Sequence, residues 1–225
     1  MKPMDERHFA ILRRHMVEVI AIHVDLLGDE LRTDALDPRV MEAMLRVPRH
    51  LFVPLPLVPH AYQDGPLPIG FDKTISQPFI CALLAHLLAL EPDHEVLEIG
   101  TGLGYLAAIL SELARQVWSV EIVEEFATEA ELRLGQLGYA NVSVRAGDGA
   151  RGWAEHAPFD RIVMSAGAEK VPPALLEQLR PGGLIVLPMG PPDEQRLVVL
   201  EKREAGAPGK TESIPVRFGL LETVI

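Results

Sequence analysis

The residues of this chain best placed to do chemistry are one run of alternating glycines and three acids that follow strand-like segments. In Val96-Leu97-Glu98-Ile99-Gly100-Thr101-Gly102-Leu103-Gly104-Tyr105 an apolar strand turns on Gly100, Gly102 and Gly104 and then opens a helix. Glycine reaches φ > 0 and has no Cβ, so the backbone can turn tightly and approach a ligand, and the helix start that follows offers unpaired N–H groups. A nucleotide-sized ligand suits that geometry. The dinucleotide pattern G-x-G-x-x-G requires a third glycine where Tyr105 stands. Glu98, two residues before the first glycine, would repel a pyrophosphate and attract a cation. S-adenosylmethionine (SAM) carries a sulfonium and an ammonium group and no phosphate, so these residues favour it over NAD.

Two further acids fit the same ligand. Glu121 falls about 20 residues after the glycine turn, where a carboxylate accepts from both hydroxyls of a ribose. Asp148, between Gly147 and Gly149, follows the next strand-like segment and is placed to accept from an adenine amine. Each also has a plainer reading, Glu121 as an acid at a helix start and Asp148 as a turn former. Three acids at successive strand ends favour the ligand site.

Other chemistries are poorly supported. The eight histidines are scattered, no Ser-His-Asp spacing stands out, and no cysteine–histidine cluster has metal spacing, so no metal site is expected. The single Cys81 reads as a small core residue. Trp118 and Trp153 are able to stack on adenine, although Trp118 lies in a strand pattern that points to the core.

The elements that must position these groups change character along the chain. Residues 5–27 and 38–46 have helical spacing, and Asp37-Pro38 reads as an N-cap followed by proline at the first helical position. Prolines at 48, 54, 56, 59, 66 and 68 forbid regular helix and predict an ordered, irregular wrap. Thr74-Ile75-Ser76-Gln77-Pro78 then precedes an apolar helix to about residue 90. From residue 95 strands and helices alternate: strands at 96–99, 117–121, 141–146, 159–165 and 184–189, helices at 105–114, 124–137 and 172–179. That alternation predicts an α/β fold, a doubly wound Rossmann-like parallel sheet with helices on both faces. Segments 196–202 and 213–218 predict a C-terminal antiparallel hairpin on the sheet edge. The expected organisation is one domain over 1–225, with a helical and proline-rich wrap (1–94), a SAM-binding core (95–190) and the hairpin (191–225).

Composition narrows the setting. The chain has 225 residues, 48% of them hydrophobic, which suffices for one substantial core. A net charge of −11 without a basic block disfavours nucleic acid as a partner. Met1-Lys2-Pro3-Met4-Asp5-Glu6 lacks a secretory h-region, the apolar stretch 83–90 is too short to span a bilayer, and one cysteine suits a reducing compartment. A cytoplasmic protein away from membranes is expected.

Several stretches together carry a family resemblance: Val47-Pro48-Arg49-His50-Leu51-Phe52-Val53-Pro54, Ala61-Tyr62-Gln63-Asp64, Pro66-Leu67-Pro68-Ile69-Gly70, Thr74-Ile75-Ser76-Gln77-Pro78, Glu98 to Tyr105, Gly147-Asp148-Gly149, Ala157-Pro158-Phe159-Asp160, Arg180-Pro181-Gly182-Gly183 and Pro215-Val216-Arg217-Phe218. Through them the chain resembles the protein-L-isoaspartate O-methyltransferases, SAM-dependent enzymes that methylate isoaspartyl residues of damaged proteins and peptides. The resemblance implies that Ser76 is the active-site serine, that Thr74, Ile75, Ser76 and Gln77 lie over the methyl donor, and that Glu98, Ile99, Gly100, Thr101, Gly102, Gly104, Tyr105, Glu121, Asp148 and Gly149 form the SAM site. It also implies that the methyl ester closes to a succinimide whose hydrolysis returns some aspartate. From the residues alone, Ser76 is equally placed to N-cap the helix that begins at Pro78. Departures from the family pattern occur before Met41 and at Phe71-Asp72-Lys73, where the family often has Gly-Gln ahead of Thr-Ile-Ser. They bear on the acceptor.

Overall fold

The computed structural model of the chain describes residues 5–224; residues 1–4, part of the segment read as lacking a secretory signal, lie outside them. Helix α1 (Glu6–Leu31) starts at a capping box in which the Asp5 carboxylate accepts the His8 N–H, and it stops where Arg32 turns left-handed at φ 57°. It runs four residues beyond the helix expected from apolar spacing, through the polar Gly28-Asp29-Glu30. In α2 (Pro38–Arg46) the Asp37 side chain caps Arg39 N–H and Pro38 takes the first helical position, as the sequence predicts.

The proline-rich stretch forms two short 3-10 turns, Arg49–Phe52 and Leu55–His60, and then a hairpin that the sequence does not announce. Strand β1 (Leu67–Gly70) pairs antiparallel with β2 (Lys73–Ile75). Phe71 and Asp72 link them at φ 50° and 55°. Two-residue hairpin turns favour such positive φ pairs, usually with Asn or Gly, so Phe-Asp gives no turn signal. Phe71 is held from outside the turn by an edge-on contact with Phe126, ring centroids 5.3 Å apart.

Helix α3 (Pro78–Leu87) leads to β3 (Glu95–Ile99), α4 (Tyr105–Ser111), β4 (Gln116–Glu121), α5 (Glu124–Gln136), β5 (Val142–Ala146), β6 (Phe159–Met164), α6 (Pro173–Gln178), β7 (Leu179–Met189), β8 (Arg196–Glu201) and β9 (Gly209–Pro215). The main sheet has the order β5-β4-β3-β6-β7-β8-β9, parallel from β5 to β7 and antiparallel beyond. This is the predicted doubly wound sheet with its edge hairpin. Strand β7 begins five residues before the expected 184–189, taking in Pro181-Gly182-Gly183, and the β6–β7 register slips between Phe159 and Arg161.

The two faces of the sheet bury different partners. Val96, Val117, Val163 and Val186 face the large core built with α1 to α5, whereas Leu97, Ile99, Ile162 and Ile185 pack on the other face with Leu175 of α6. Strand alternation therefore points Glu98 into the helix-rich side. The chain leaves β3 towards β4 on one side while β6 lies on the other, so a crevice opens beyond the carboxyl ends of these strands, where ligands of such sheets bind. Among the described residues no helix is long and apolar enough to cross a membrane.

Candidate active site

A cavity of about 680 Å³ occupies that crevice. Its walls include Thr74, Ile75, Ser76 and Gln77 from β2 and the lead-in to α3, and Ile99, Gly100, Thr101, Gly102 and Tyr105 from the glycine turn. Glu121 and Gly149 complete the group, with Ser165 from the end of β6 and residues 215–222 from the chain after β9. Residues as far apart in sequence as Thr74 and Glu222 thus share one chamber of the size that holds a small molecule.

The glycines work as the sequence implies. Gly100 and Gly102 sit at φ 94° and 53°, and the Gly102 N–H donates to Glu121 Oε2 at 2.7 Å. The same carboxylate accepts Val123 N–H on Oε1 at 3.0 Å, so it is fixed at the cavity edge. Gly149 leaves the wall thin, because a Cβ there would lie 2.3 Å from Ile99 Cγ2. Gly104 plays another part. It does not line the cavity; a Cβ on it would meet Leu134 Cδ1 at 3.1 Å, so it lets α4 start against α5.

Glu98 and Asp148 also stand off the cavity wall. Glu98 is fully buried on the helix side of β3, and burial pushes its carboxyl up to about 8, against the hydrogen bond from Ser119, with the Glu121 charge adding to the rise. Ser119 Oγ is 2.5 Å from Thr101 Oγ1, so a hydroxyl pair links the buried carboxyl to the cavity wall. Glu98 Oε1 has no hydrogen-bond partner among the described residues. Asp148 is a turn former here: its Oδ1 accepts Ala150 N–H at 2.9 Å and its Oδ2 accepts Val224 N–H at 3.3 Å. The tryptophans are not available to adenine, since Trp118 stacks on His156 at 3.4 Å and packs edge-on against Trp153, outside the cavity.

Ser76 does not cap the helix. The N-cap of α3 is Gln77, without a side-chain cap bond, and the Asp64 carboxylate does that work by accepting from Gln77 Nε2 at 2.7 Å and Phe79 N–H at 3.4 Å. The Ser76 carbonyl accepts from Arg49 Nη2 at 2.7 Å, while no hydrogen bond engages its hydroxyl among the described residues. Arg49 is wholly buried, donates Nε to Ala61 C=O at 2.8 Å and lies over the Tyr105 ring at 4.7 Å. Arg49 is not singled out among the candidate site residues of the sequence; its signal is a charged residue beside His50 in an otherwise apolar, proline-bounded run. Cys81 Sγ also lies near the Ser76 carbonyl, at 3.7 Å, and burial pushes its thiol up to about 11, which leaves it unreactive.

A glycine turn with close backbone approach and a pinned carboxylate at the neighbouring strand end suit a nucleoside without phosphate. Fold and cavity together are those of the Rossmann-like SAM-dependent methyltransferases. The model of the family described as protein-L-isoaspartate(D-aspartate) O-methyltransferase matches residues 23–222, and the chain belongs to that family. It is 51% identical over 219 residues to protein-L-isoaspartate O-methyltransferase 1 of a Polaromonas species, covering 97% of this chain and 93% of the relative. It is 49% identical to protein-L-isoaspartate O-methyltransferase 2 of Syntrophobacter fumaroxidans, with 93% and 85% covered. A solved protein-L-isoaspartate O-methyltransferase superimposes with a TM-score of 0.79 at 26% identity over 92% of this chain and 65% of that one. A Plasmodium falciparum structure in complex with S-adenosyl-L-homocysteine shares the fold, with a TM-score of 0.74 at 21% identity over 92% and 98% of the two chains.

Proposed function

We propose that this chain transfers the methyl group of SAM to the α-carboxylate of L-isoaspartyl residues in damaged proteins and peptides, with Ser76 orienting that carboxylate. The supporting observation is the Ser76 hydroxyl, without a hydrogen-bond partner among the described residues, at the wall that also holds the glycine turn and Glu121. Thr74, Ile75 and Gln77 flank the donor side, and Gly100, Thr101, Gly102, Tyr105, Ile99, Gly149 and Glu121 hold the nucleoside, with Glu121 on the ribose hydroxyls. Glu98 acts from behind the wall through Ser119 and Thr101, Gly104 through the placement of α4, and Asp148 by shaping the turn that carries Gly149.

When bound, SAM supplies an electrophilic methyl on a sulfonium. An α-carboxylate with an ordinary pKa of roughly 3.5 is ionised at neutral pH, so no side chain has to take a proton. Ser76 donates a hydrogen bond from its hydroxyl to one carboxylate oxygen and leaves the other free to attack. Arg49 keeps the Ser76 backbone from shifting. Such positioning, with water excluded by residues 215–222, is the main source of rate; well-oriented groups gain up to about 7–11 kcal/mol. After release, the neighbouring amide nitrogen attacks the ester carbonyl, methanol leaves, and hydrolysis of the succinimide returns some aspartate.

The lone Cys81 and the acidic surface fit a cytoplasmic enzyme acting on proteins and not on nucleic acid. Incubation with labelled SAM and an isoaspartyl peptide tests the reading; absence of label in the peptide contradicts it.

A further inference from the structure

The Phe71-Asp72-Lys73 stretch places a cation on the rim of the cavity. Lys73 lines the cavity from β2, and its ammonium is bound to the Glu222 carboxylate, 149 residues away in sequence. Glu222 lies in the strap of residues 215–222 that lines the cavity. The buried Gln195 ties Phe218 at both its N–H and its carbonyl, at 2.7 and 3.1 Å, and Gly167 pairs with Gly219 and Leu221 through backbone bonds of 2.7 and 2.8 Å. Backbone thus fixes the strap as far as Leu221, and beyond it the Lys73–Glu222 pair and the Val224 N–H on Asp148 Oδ2 at 3.3 Å hold the chain.

Lys73 is the cation best placed to meet an anionic acceptor there. The other lysine or arginine among the lining residues, Arg217, has a side chain 86% exposed and turned toward Asp193 at 3.8 Å. Asp72, Glu121 and Glu222 make the remaining charge of the wall acidic. Lys73 precedes Ser76 by three residues of mostly extended chain, which separates their Cα atoms by about 10 Å at about 3.3 Å per residue. With the α-carboxylate held at Ser76, the Lys73 ammonium at Glu222 stands within reach of a neighbouring residue's side chain in an extended peptide.

We propose that Lys73 is a specificity residue that exchanges the Glu222 carboxylate for an Asp or Glu side chain of the acceptor, so that isoaspartyl sites with an acidic neighbour are preferred. Glu222 acts as the internal competitor, holding the strap until such a peptide binds. The inference rests on the isoaspartyl reading of the Ser76 site. Both partners are partly exposed, with 32% and 57% of the side-chain surface accessible, so the exchange is worth what partly solvated ion pairs are worth and is weakened by salt.

The test uses full-length enzyme and isoaspartyl peptides carrying Glu, or Gln in its place, two residues to either side of the isoaspartate. Wild type is expected to show a KM about 2- to 5-fold lower for the Glu peptides. Lys73→Gln is expected to abolish that difference at nearly unchanged kcat, Lys73→Glu to reverse it, and Glu222→Gln to lower KM for the Glu peptides further. The same KM ratio in wild type and Lys73→Gln overturns the role of Lys73 while leaving the isoaspartyl reading intact. Wild type that methylates none of the peptides overturns both.

Discussion

Glu121, at the last position of β4, accepts the Gly102 backbone N–H at 2.7 Å, so the carboxylate of one strand end fixes the glycine turn of the next. The Val123 N–H on its second oxygen leaves each oxygen with a lone pair still free. A carboxylate held in this way needs no rearrangement to accept ribose hydroxyls. Its position was readable from spacing alone, whereas its grip on Gly102 was not.

Removing that carboxylate is expected to loosen both the turn and the nucleoside. Hydrogen bonds to charged groups contribute about 1.5–3 kcal/mol, so Glu121→Ala should raise the Kd for SAM or S-adenosylhomocysteine roughly 10- to 100-fold in calorimetry. An unchanged Kd would remove Glu121 from the donor site.

Ser76→Ala separates the catalytic role from a structural one. Since the hydroxyl caps nothing, thermal stability should stay within about 0.5 kcal/mol of wild type, where loss of a true N-cap costs about 1 kcal/mol. Loss of a hydrogen bond to an ionised carboxylate should lower kcat/KM roughly 10- to 100-fold. A variant that is clearly less stable, yet turns over normally once folded, would return Ser76 to the capping role.

Glu98 predicts a pH dependence of stability. Burial raises its carboxyl from the ordinary 4.5 to about 8, so the folded chain holds this proton more tightly than the unfolded chain does. The contribution is fully present below pH 4.5 and is lost as pH rises to about 8. Glu98→Gln, which cannot ionise, should therefore gain in Tm relative to wild type across that window and hold a constant difference above it. Parallel Tm curves from pH 4 to 9 would show that Glu98 is not raised.

The parallel sheet was legible because Val96, Val117, Ile162 and Ile185 lie in short apolar runs separated by amphipathic helices, a local pattern. The cavity wall on the sheet side was legible for a related reason, since Gly100, Gly102 and Glu121 stand at strand ends whose order follows from that alternation. What the sequence hid depends on contacts from afar. The β1–β2 hairpin turns on Phe71-Asp72, which is stabilised by Phe126 and carries no local turn residue. Asp64 caps α3 from the proline-rich stretch, and a buried arginine, Arg49, fixes Ser76 by its carbonyl. Alternation on β3 decides that Glu98 faces the helices, and only the packed structure shows that Gly104 lets α4 start against Leu134 of α5.

The acceptor is tested by incubating the enzyme with methyl-labelled SAM and two peptides identical except that one has L-aspartyl and the other L-isoaspartyl at a single position. The expected result is base-labile label in the isoaspartyl peptide at many times the rate of its partner, and a sharp fall of that rate in Ser76→Ala. Equal labelling of the two peptides, or none in either while SAM binds, would contradict isoaspartyl methylation by this site.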